Sequence, residues 1–219
     1  VRRTRMRDII FDLDGTLIDS RECIFGIYKK LFGELGIPLP AESVMKKFIG
    51  PPVEFVIKDY LPEDKRAAAC ERFRTLYREI DLKTANKLFD GVYEMLNTLF
   101  LGGKRLFIAS TKNESMAIKV CSLLGIDKFF TGIYGSRYEL GRLTKRLVLD
   151  AVIEENGIDK GKTVLIGDTH FDAEGATESG IPVAIVRYGF GEETELRKYK
   201  VAAYFDTPEQ VASFYLSND

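Results

Sequence analysis

Short apolar runs alternate along most of the chain with longer segments in which apolar residues recur every three to four positions. The short runs predict six strands, at positions 9–13, 106–110, 132–135, 163–167, 183–187 and 203–205. The longer segments predict helices between these strands, and glycines after several of them supply the left-handed residue that stops a helix. We therefore expect an α/β fold with a doubly wound, Rossmann-like parallel sheet.

The alternation stops between positions 20 and 80, where the pattern is helical and contains no convincing strand. Ser20 is expected to cap a first helix that ends before Pro38, and further helices are expected at 41–48, 52–60 and 63–80. This pattern predicts a small all-α domain inserted after the first strand. We assign residues 17–86 to this helical cap, and residues 1–16 and 87–219 to the α/β core.

Charge and composition argue against several classes of protein. The 219 residues include 32 basic and 33 acidic side chains, a balance that argues against a general binder of nucleic acid or acidic membranes. No apolar run approaches the roughly 20 residues needed to span a bilayer. Cys23, Cys70 and Cys121 form neither a metal-type pair nor a disulfide framework. We expect a cytoplasmic protein, monomeric or homodimeric, that binds neither nucleic acid nor membrane.

The first chemical motif, IIFDLDGT, places Asp12 and Asp14 at the end of the first predicted strand, where open α/β sheets bind ligands. Side chains two apart on a strand share a face, so both carboxylates are expected to approach one centre. A cation relieves their repulsion, and a hard divalent ion prefers oxygen ligands. A calcium loop is excluded because its twelfth position would be Cys23 instead of glutamate. An acidic turn that has no catalytic or metal-binding role stays open as the alternative.

Two weaker candidates lie after the second strand and at the start of a later helix. Ser110-Thr111-Lys112 follows strand 106–110, where a hydroxyl and fresh backbone N–H groups can hold a phosphate oxygen. An ordinary turn with a solvated lysine is the alternative. Lys145 begins a predicted helix, and its charge could balance an anionic phosphate, although most such lysines are simply solvated.

The fourth motif repeats the logic of the first. Asp168 follows the apolar strand 163–167, and Asp172 lies one helical turn further on. Because the carboxyl ends of the strands gather at one edge of a doubly wound sheet, we expect these carboxylates to lie near Asp12. His170 is the single histidine of the chain, and a supporting or solvated role is expected for it instead of catalysis. Residues 157–163 resemble a phosphate-binding loop, but the segment is one residue short and precedes a strand instead of following one. We therefore reject it as a phosphate site.

The four motifs, in this order and with a helical insert after the first, resemble the haloacid dehalogenase superfamily of phosphatases. The resemblance covers nearly the whole chain and is closest to the phosphoglycolate phosphatase-like branch with a helical cap. Three further segments are similar to members of this branch, namely Gly50-Pro51-Pro52, GIYGS at 132–136 and GFG at 189–191.

The resemblance implies a role for each catalytic residue. Asp12 would attack phosphorus and form an aspartyl-phosphate, whereas Asp14 would protonate the leaving alcohol and then activate water. Ser110 and Lys145 would bind the transferring phosphoryl group. The dehalogenases of the superfamily do not carry an aspartate two residues after the nucleophile, because halide departure needs no proton. Asp14 therefore favours ester hydrolysis over dehalogenation.

The resemblance also implies a metal site. Asp168 would ligate Mg²⁺ together with Asp12 and the backbone carbonyl of Asp14. Asp172 would ligate the ion or support its water shell.

Substrate contacts are implied on both sides of the cap–core boundary. Thr111 and Lys112 would contribute from the core, and Gly50 and Pro51 would contribute from the cap. Basic residues of the cap region are further candidates for contacting the leaving group, namely Arg21, Lys46 and Lys47. A solvated position on the surface is the alternative for each of them.

The implied function is that of a magnesium-dependent phosphatase acting on a small phosphorylated metabolite through an aspartyl-phosphate. Two alternatives stay open. One is a sugar-phosphate mutase of the same fold, in which Asp12 passes its phosphoryl group to a sugar. The other is a catalytically idle protein that binds a phosphorylated ligand.

Overall fold

The computed structural model describes residues 6–217, so residues 1–5 of the predicted core segment lie outside the described range. The strands are β1 (Asp8–Phe11), β2 (Ile18–Asp19), β3 (Lys87–Leu88), β4 (Arg105–Asn113), β5 (Gly132–Ser136), β6 (Thr163–Gly167), β7 (Val183–Val186) and β8 (Val201–Phe205). The helices are α1 (Arg21–Leu35), α2 (Glu42–Met45), α3 (Val53–Ile57), α4 (Glu63–Glu79), α5 (Leu82–Ala85), α6 (Val92–Leu101), α7 (Glu114–Leu123), α8 (Lys145–Glu155), α9 (His170–Ser179), α10 (Glu193–Leu196) and α11 (Pro208–Leu216).

Six strands form one parallel sheet in the order β5-β4-β1-β6-β7-β8. The chain runs from β1 outward to β4 and β5, and then returns past β1 to β6. The strand order therefore reverses next to β1, and open α/β sheets bind ligands beyond the carboxyl ends of their strands at such a reversal. The predicted α/β fold with a doubly wound parallel sheet is confirmed.

Helices cover both faces of the sheet, and alternate residues of β1 serve the two faces. Ile9 and Phe11 belong to a hydrophobic core that includes residues of α6, α7 and α11. Ile10 belongs to a second core with residues of α8 and α9. A strand buried on both faces needs apolar residues at successive positions, which explains the continuous apolar run in the sequence.

Helices α1–α5, called the cap from here on, are inserted between β2 and β3. These two short strands pair antiparallel, with Ile18 opposite Leu88, and carry the chain out of the core and back. Each has two residues, too few to leave a periodic signal in the sequence. Inside the cap, aromatic rings pack with centroids 4.9 to 6.2 Å apart, and they belong to Tyr28, Phe32, Phe48 and Tyr60. The boundaries 17–86 of an independent cap domain stay a prediction.

The structure corrects two strand boundaries that matter for the site. β1 ends at Phe11 instead of position 13, so Asp12 and Asp14 lie in the loop beyond it. β4 continues past position 110 to Asn113, and its register against β5 shifts between Ala109 and Asn113. A hydrophobic pattern does not reveal either feature, because both depend on backbone pairing with neighbouring strands.

The predicted N-cap of α1 is wrong in its chemistry. Ser20 precedes α1, but its buried hydroxyl makes no capping hydrogen bond and has no partner among the described residues. Its backbone angles, φ −101° and ψ 12°, differ from the extended conformation that usually accompanies a capping side chain.

The cap helices predicted at 41–48 and 52–60 are also shorter than expected. A 3-10 turn, Lys46–Phe48, follows α2, and α3 ends at Ile57. Gly50 at φ +100° and two prolines interrupt the helical path between them.

All three cysteines are buried and free. Across positions 6–217, no helix has both the length and the apolar character required to cross a bilayer.

Candidate active site

Asp12 lies directly beyond the central strand and is almost fully buried. Its backbone N–H donates to the Ile166 carbonyl at 2.8 Å, which extends the β1–β6 pairing by one residue and fixes the start of the loop. Its Oδ1 lies 2.6 Å from the ammonium of Lys145. Burial raises the pKa of Asp12 to about 6, with smaller increases from Asp172 and Asp14, whereas Lys145 acts in the opposite direction.

Lys145 is the first residue of α8 and is buried at the centre of the site. Its ammonium lies 2.8 Å from Asp172 Oδ1 and donates to the Ala109 carbonyl at 2.8 Å, in addition to its contact with Asp12. Burial by itself would lower the pKa of Lys145, but Asp12 and Asp172 raise it above its ordinary value. The three partners use the three donors of the ammonium and fix its place beside Asp12. Lys145 is therefore not a solvated surface lysine.

Asp172 is held in place by the first turn of α9. Its Oδ2 accepts hydrogen bonds from the backbone N–H of Asp168, the backbone N–H of Thr169 and the Thr169 hydroxyl, at 3.2, 3.0 and 2.8 Å. Burial would raise the pKa of Asp172, but Lys145 and these hydrogen bonds hold it below its usual range. Its carboxylate therefore stays ionised and serves as the counter-ion of Lys145.

Asp168, at the end of β6, sits in a tight cradle of backbone. Its Oδ1 accepts from the Thr16 hydroxyl at 3.1 Å, and its Oδ2 accepts from the Phe190 N–H at 2.8 Å. A Cβ at Gly15 would lie 2.2 Å from Oδ2, and one at Gly189 would lie 2.4 Å from Asp168 Cβ. The two glycines therefore let both loops approach the carboxylate. Burial, followed by the charges of Asp172 and Asp12, raises the pKa of Asp168 well above its usual range.

Three of the predicted metal ligands converge. One carboxylate oxygen each from Asp12, Asp168 and Asp172 lies within 4.8 Å of the others. Oδ1 of Asp12 and Oδ1 of Asp172 both face the Lys145 ammonium, and neither accepts a hydrogen bond from any other described residue. Three buried carboxylates against one ammonium leave an excess of negative charge, and the donor atoms are all oxygens. This set fits a hard divalent cation.

Asp14 lies apart from this group and has its own partner. The Lys112 ammonium is 2.7 Å from its Oδ2 and 2.9 Å from its Oδ1, and both side chains are less than 10% exposed, at 7% and 8%. Burial would lower the pKa of Lys112, but Asp14 raises it above its ordinary value. The two aspartates of the first motif therefore face different cations, Asp12 facing Lys145 and Asp14 facing Lys112. The carboxylate of Asp14 is not among the three that converge.

The irregular end of β4, after Ala109, contacts the cap. Ser110 is buried, and its Oγ accepts from the Lys112 N–H at 3.3 Å. The Thr111 hydroxyl donates to the carbonyl of Gly50 at 2.5 Å, so the turn that contains Pro51 lies against this end of β4. Gly50, Pro51, Thr111 and Lys112 are thereby gathered at the cap–core boundary near Asp14.

The remaining basic candidates are placed on the surface. Arg21 forms an ion pair with Asp19 at 2.5 Å. Lys46 and Lys47 are exposed, and Lys47 lies 3.6 Å from Glu195. His170 Nδ1 lies 2.9 Å from the same glutamate. The structure does not bring these side chains into the group formed by the buried aspartates and lysines.

A family model described as haloacid dehalogenase-like hydrolase matches residues 9–186, which is most of the chain. The chain belongs to this family. The resemblance to the haloacid dehalogenase superfamily is confirmed, and the protein is an enzyme. Its fold agrees with that of a haloacid dehalogenase-like hydrolase from Streptococcus pneumoniae, which is 32% identical and superposes with a TM-score of 0.90 over 96% of this chain and 98% of that one.

Curated relatives of this hydrolase differ in their named activities. A 5'-nucleotidase of Pseudomonas aeruginosa is 33% identical over 202 residues, covering 91% of each protein. A phosphoglycolate phosphatase of Aquifex aeolicus is 29% identical over 185 residues, 84% of this chain and 86% of the relative. Tyrosine-protein kinase PtkA of Mycobacterium tuberculosis is 30% identical over 183 residues, but these cover 84% of this chain and 62% of that protein. Phosphate chemistry is common to all three names.

Several residues that build the site of this hydrolase give little signal in the sequence. Thr16 and the Phe190 N–H bind Asp168, and only the glycines beside them mark these loops. Tyr77 of the cap places its ring 5.0 Å from the Lys112 ammonium. Arg142 is buried and donates to the Gly135 carbonyl at 3.1 Å and to Glu114. Except for the contact between Arg142 and Gly135, these contacts join residues at least 22 positions apart, which local patterns do not report.

Proposed function

We propose that this hydrolase is a magnesium-dependent phosphatase that cleaves a small phosphate monoester through an aspartyl-phosphate on Asp12. Its family and its named phosphatase relatives support phosphatase activity. The observation that carries the finer proposal is the separation of the two acids. Asp12 lies among the converging carboxylates and Lys145, whereas Asp14 is held a short distance away by Lys112. Such a division suits one group that attacks phosphorus and another that moves a proton.

In the first half-reaction, a carboxylate oxygen of Asp12 attacks phosphorus and the bond from phosphorus to the ester oxygen breaks. Asp14 gives its proton to that oxygen, which leaves as an alcohol. Lys145 lies beside Asp12 and can bind an oxygen of the transferring phosphoryl group, and the Ser110 hydroxyl can donate to another. The covalent intermediate divides a difficult hydrolysis into two easier steps.

In the second half-reaction, water attacks phosphorus and the bond to the Asp12 oxygen breaks. Asp14, now ionised, accepts the proton of the attacking water, and inorganic phosphate is released. Asp12, Asp168 and the backbone carbonyl of Asp14 would hold the magnesium ion, with Asp172 as a further ligand or a support for its water. A bound magnesium ion would supply positive charge to the phosphoryl oxygens during both steps.

Release of inorganic phosphate from a panel of esters, with and without Mg²⁺, tests the proposal. The names of the relatives suggest phosphoglycolate and a nucleoside 5'-monophosphate as panel members, to which pyrophosphate and a hexose phosphate are added. We expect magnesium-dependent release from at least one small ester. No release from any of them with Mg²⁺ present would contradict the phosphatase, and release that requires a sugar bisphosphate would favour the mutase.

The relative named a tyrosine-protein kinase makes transfer to an acceptor a second outcome to measure. The same panel is therefore repeated with an added alcohol, and the phosphorylated alcohol is quantified beside inorganic phosphate. We expect inorganic phosphate to dominate, because Asp14 can activate water. The cytoplasmic location, the small-metabolite partner and the monomeric or homodimeric state stay predictions.

A further inference from the structure

We propose that Lys112 is a positioning residue for Asp14, and that Tyr77 of the cap in turn positions Lys112. This inference rests on the proposed function, because the acid and base role of Asp14 is part of that proposal. It assigns to Lys112 a task different from the substrate contact that the sequence resemblance implies. It also links the cap to the proton transfers, because Tyr77 would act on Asp14 through Lys112 without touching the phosphoryl group.

The contact between Lys112 and Asp14 is a two-point one. The ammonium lies 2.7 Å from one carboxylate oxygen and 2.9 Å from the other. A lysine near both oxygens restricts rotation of the carboxylate about its own axis. Because both side chains are less than 10% exposed, at 7% and 8%, water does not replace this contact easily. A general acid must point its oxygen at the leaving group within hydrogen-bond reach, so geometry is the first requirement for its efficiency.

Lys112 is itself anchored at its base. Its backbone N–H donates to Ser110 Oγ at 3.3 Å, in the part of β4 where the pairing with β5 is irregular. The register shift places residues 110–112 outside the regular ladder and turns the lysine toward Asp14. A different lysine, Lys145, already lies beside the nucleophile with three partners. Asp12 and Asp14, the two aspartates of the first motif, therefore face different lysines.

Tyr77 brings the cap into this arrangement. It lies near the end of α4, it is buried, and its ring centroid is 5.0 Å from the Lys112 ammonium. An aromatic ring at this distance attracts a cation, and the attraction is stronger when water is excluded. Its buried hydroxyl has no well-formed hydrogen bond among residues 6–217. Because Tyr77 belongs to the cap and Lys112 to the core, this contact exists only when the cap lies over the site.

Two substrates of similar size separate proton transfer from phosphoryl binding. Ethyl phosphate expels an alkoxide oxygen that must receive a proton from Asp14 as the bond to phosphorus breaks. Acetyl phosphate, an acyl phosphate, expels acetate, which leaves as a stable anion without a proton. For both, kcat/KM reports the steps up to the first irreversible one, which is the transfer of the phosphoryl group to Asp12.

The experiment measures kcat/KM of the Lys112→Met variant with both compounds in the presence of Mg²⁺. We expect a loss of ~10²-fold for ethyl phosphate, the size of a general-acid contribution, and a loss of only a few-fold for acetyl phosphate. Tyr77→Leu is expected to show the same selectivity with a smaller loss. Tyr77→Phe, which keeps the ring, is expected to resemble the wild type.

A lysine and a tyrosine on the surface supply matched controls. The Lys128 ammonium lies 5.1 Å from the ring centroid of Tyr93 and 2.7 Å from its hydroxyl, at an exposed place outside the site. Lys128→Met and Tyr93→Leu make the same chemical changes there. Both are expected to leave kcat/KM unchanged for either substrate.

An equal loss for both substrates in Lys112→Met would show that the lysine binds the phosphoryl group, and would overturn the proposal. Unchanged activity for both would overturn it as well. If Lys112→Met does not fold, Tyr77→Leu decides, because its loss must also be selective for ethyl phosphate. If the wild-type protein releases no phosphate from these two compounds or from any member of the ester panel with Mg²⁺, the phosphatase proposal fails, which is a result distinct from a uniform loss in the variants.

Discussion

Replacing Asp12 by asparagine separates the chemical role of this residue from its cost to the fold. The wild-type carboxylate is buried, and the Lys145 ammonium 2.6 Å away compensates for that burial only in part. Its pKa therefore lies at about 6 instead of the ordinary 3.8. Asparagine has nearly the same shape and carries no charge at any pH. The variant should lose the nucleophile and, at the same time, a group that is ionised unfavourably at neutral pH.

The sign of the stability change follows from proton binding. Between about pH 4 and pH 6 the folded protein holds the Asp12 proton more tightly than the unfolded chain does, so the stability of the wild type falls as pH rises through this window. A pKa difference of about two units corresponds to roughly 3 kcal/mol. Without divalent ions, we expect Asp12→Asn to be more stable than the wild type by about 3 kcal/mol near pH 7.5. Near pH 5 the difference should be about half as large.

Urea unfolding of both proteins at the two pH values, with a chelator present, measures this difference. Adding Mg²⁺ should stabilise the wild type more than the variant, because one of the three converging carboxylates is missing from the variant. Phosphate release by the variant should be near zero with Mg²⁺ present, since no carboxylate remains to attack phosphorus.

Asp59→Asn is the matched control, because Asp59 is exposed and lies in the cap away from the buried aspartates. It should unfold like the wild type at both pH values. An Asp12→Asn protein that is no more stable than the wild type in chelator at pH 7.5 would refute the electrostatic reasoning. An Asp12→Asn protein with full activity would remove Asp12 as the nucleophile.

Two further substitutions test how neighbouring residues place the site. Gly175→Ala in α9 should reduce kcat/KM by up to about 10²-fold, because the new Cβ would lie 2.6 Å from Lys145 Cγ. Gly26→Ala in α1 is its control, because no atom lies within 4 Å of the new Cβ. This control should keep full activity and increase the free energy of unfolding by up to about 1 kcal/mol. Thr111→Val removes the hydroxyl that donates to Gly50, and should raise KM by roughly 2- to 10-fold through the loss of one hydrogen bond. Steady-state kinetics measure both effects, and an unchanged KM in Thr111→Val would show that this contact does not hold the cap.

The sequence predicted the main elements of the core because each leaves a local signal. The apolar run at 163–167 coincides with β6, and the strands at 132–135 and 183–187 agree with β5 and β7 within one residue. The end of β1 was harder, because Leu13 continues the apolar pattern although pairing stops at Phe11. Strand ends depend on hydrogen bonds to neighbouring strands, and these are not written in the chain's own periodicity.

The same limit explains the pair of aspartates in the first motif. Their spacing predicted two carboxylates on one face of a strand, facing one centre. Since the strand ends before them, the period of two does not apply, and the loop sends Asp12 toward Lys145 and Asp14 toward Lys112. Local spacing could predict that both acids are near the sheet edge. It could not predict that each has its own lysine.

The sequence by itself determined the α/β alternation, the helical insert, and the acids and lysines available for chemistry. These follow from periodicity and from the order of short motifs, which are properties of neighbouring residues. The tertiary structure alone decided that Tyr77 lies against Lys112, that Phe190 binds Asp168, and that the cap turn at Gly50 meets Thr111. Each of these contacts joins residues at least 22 positions apart. Such contacts depend on how the sheet, its loops and the cap pack together, because packing brings distant side chains into the same buried volume.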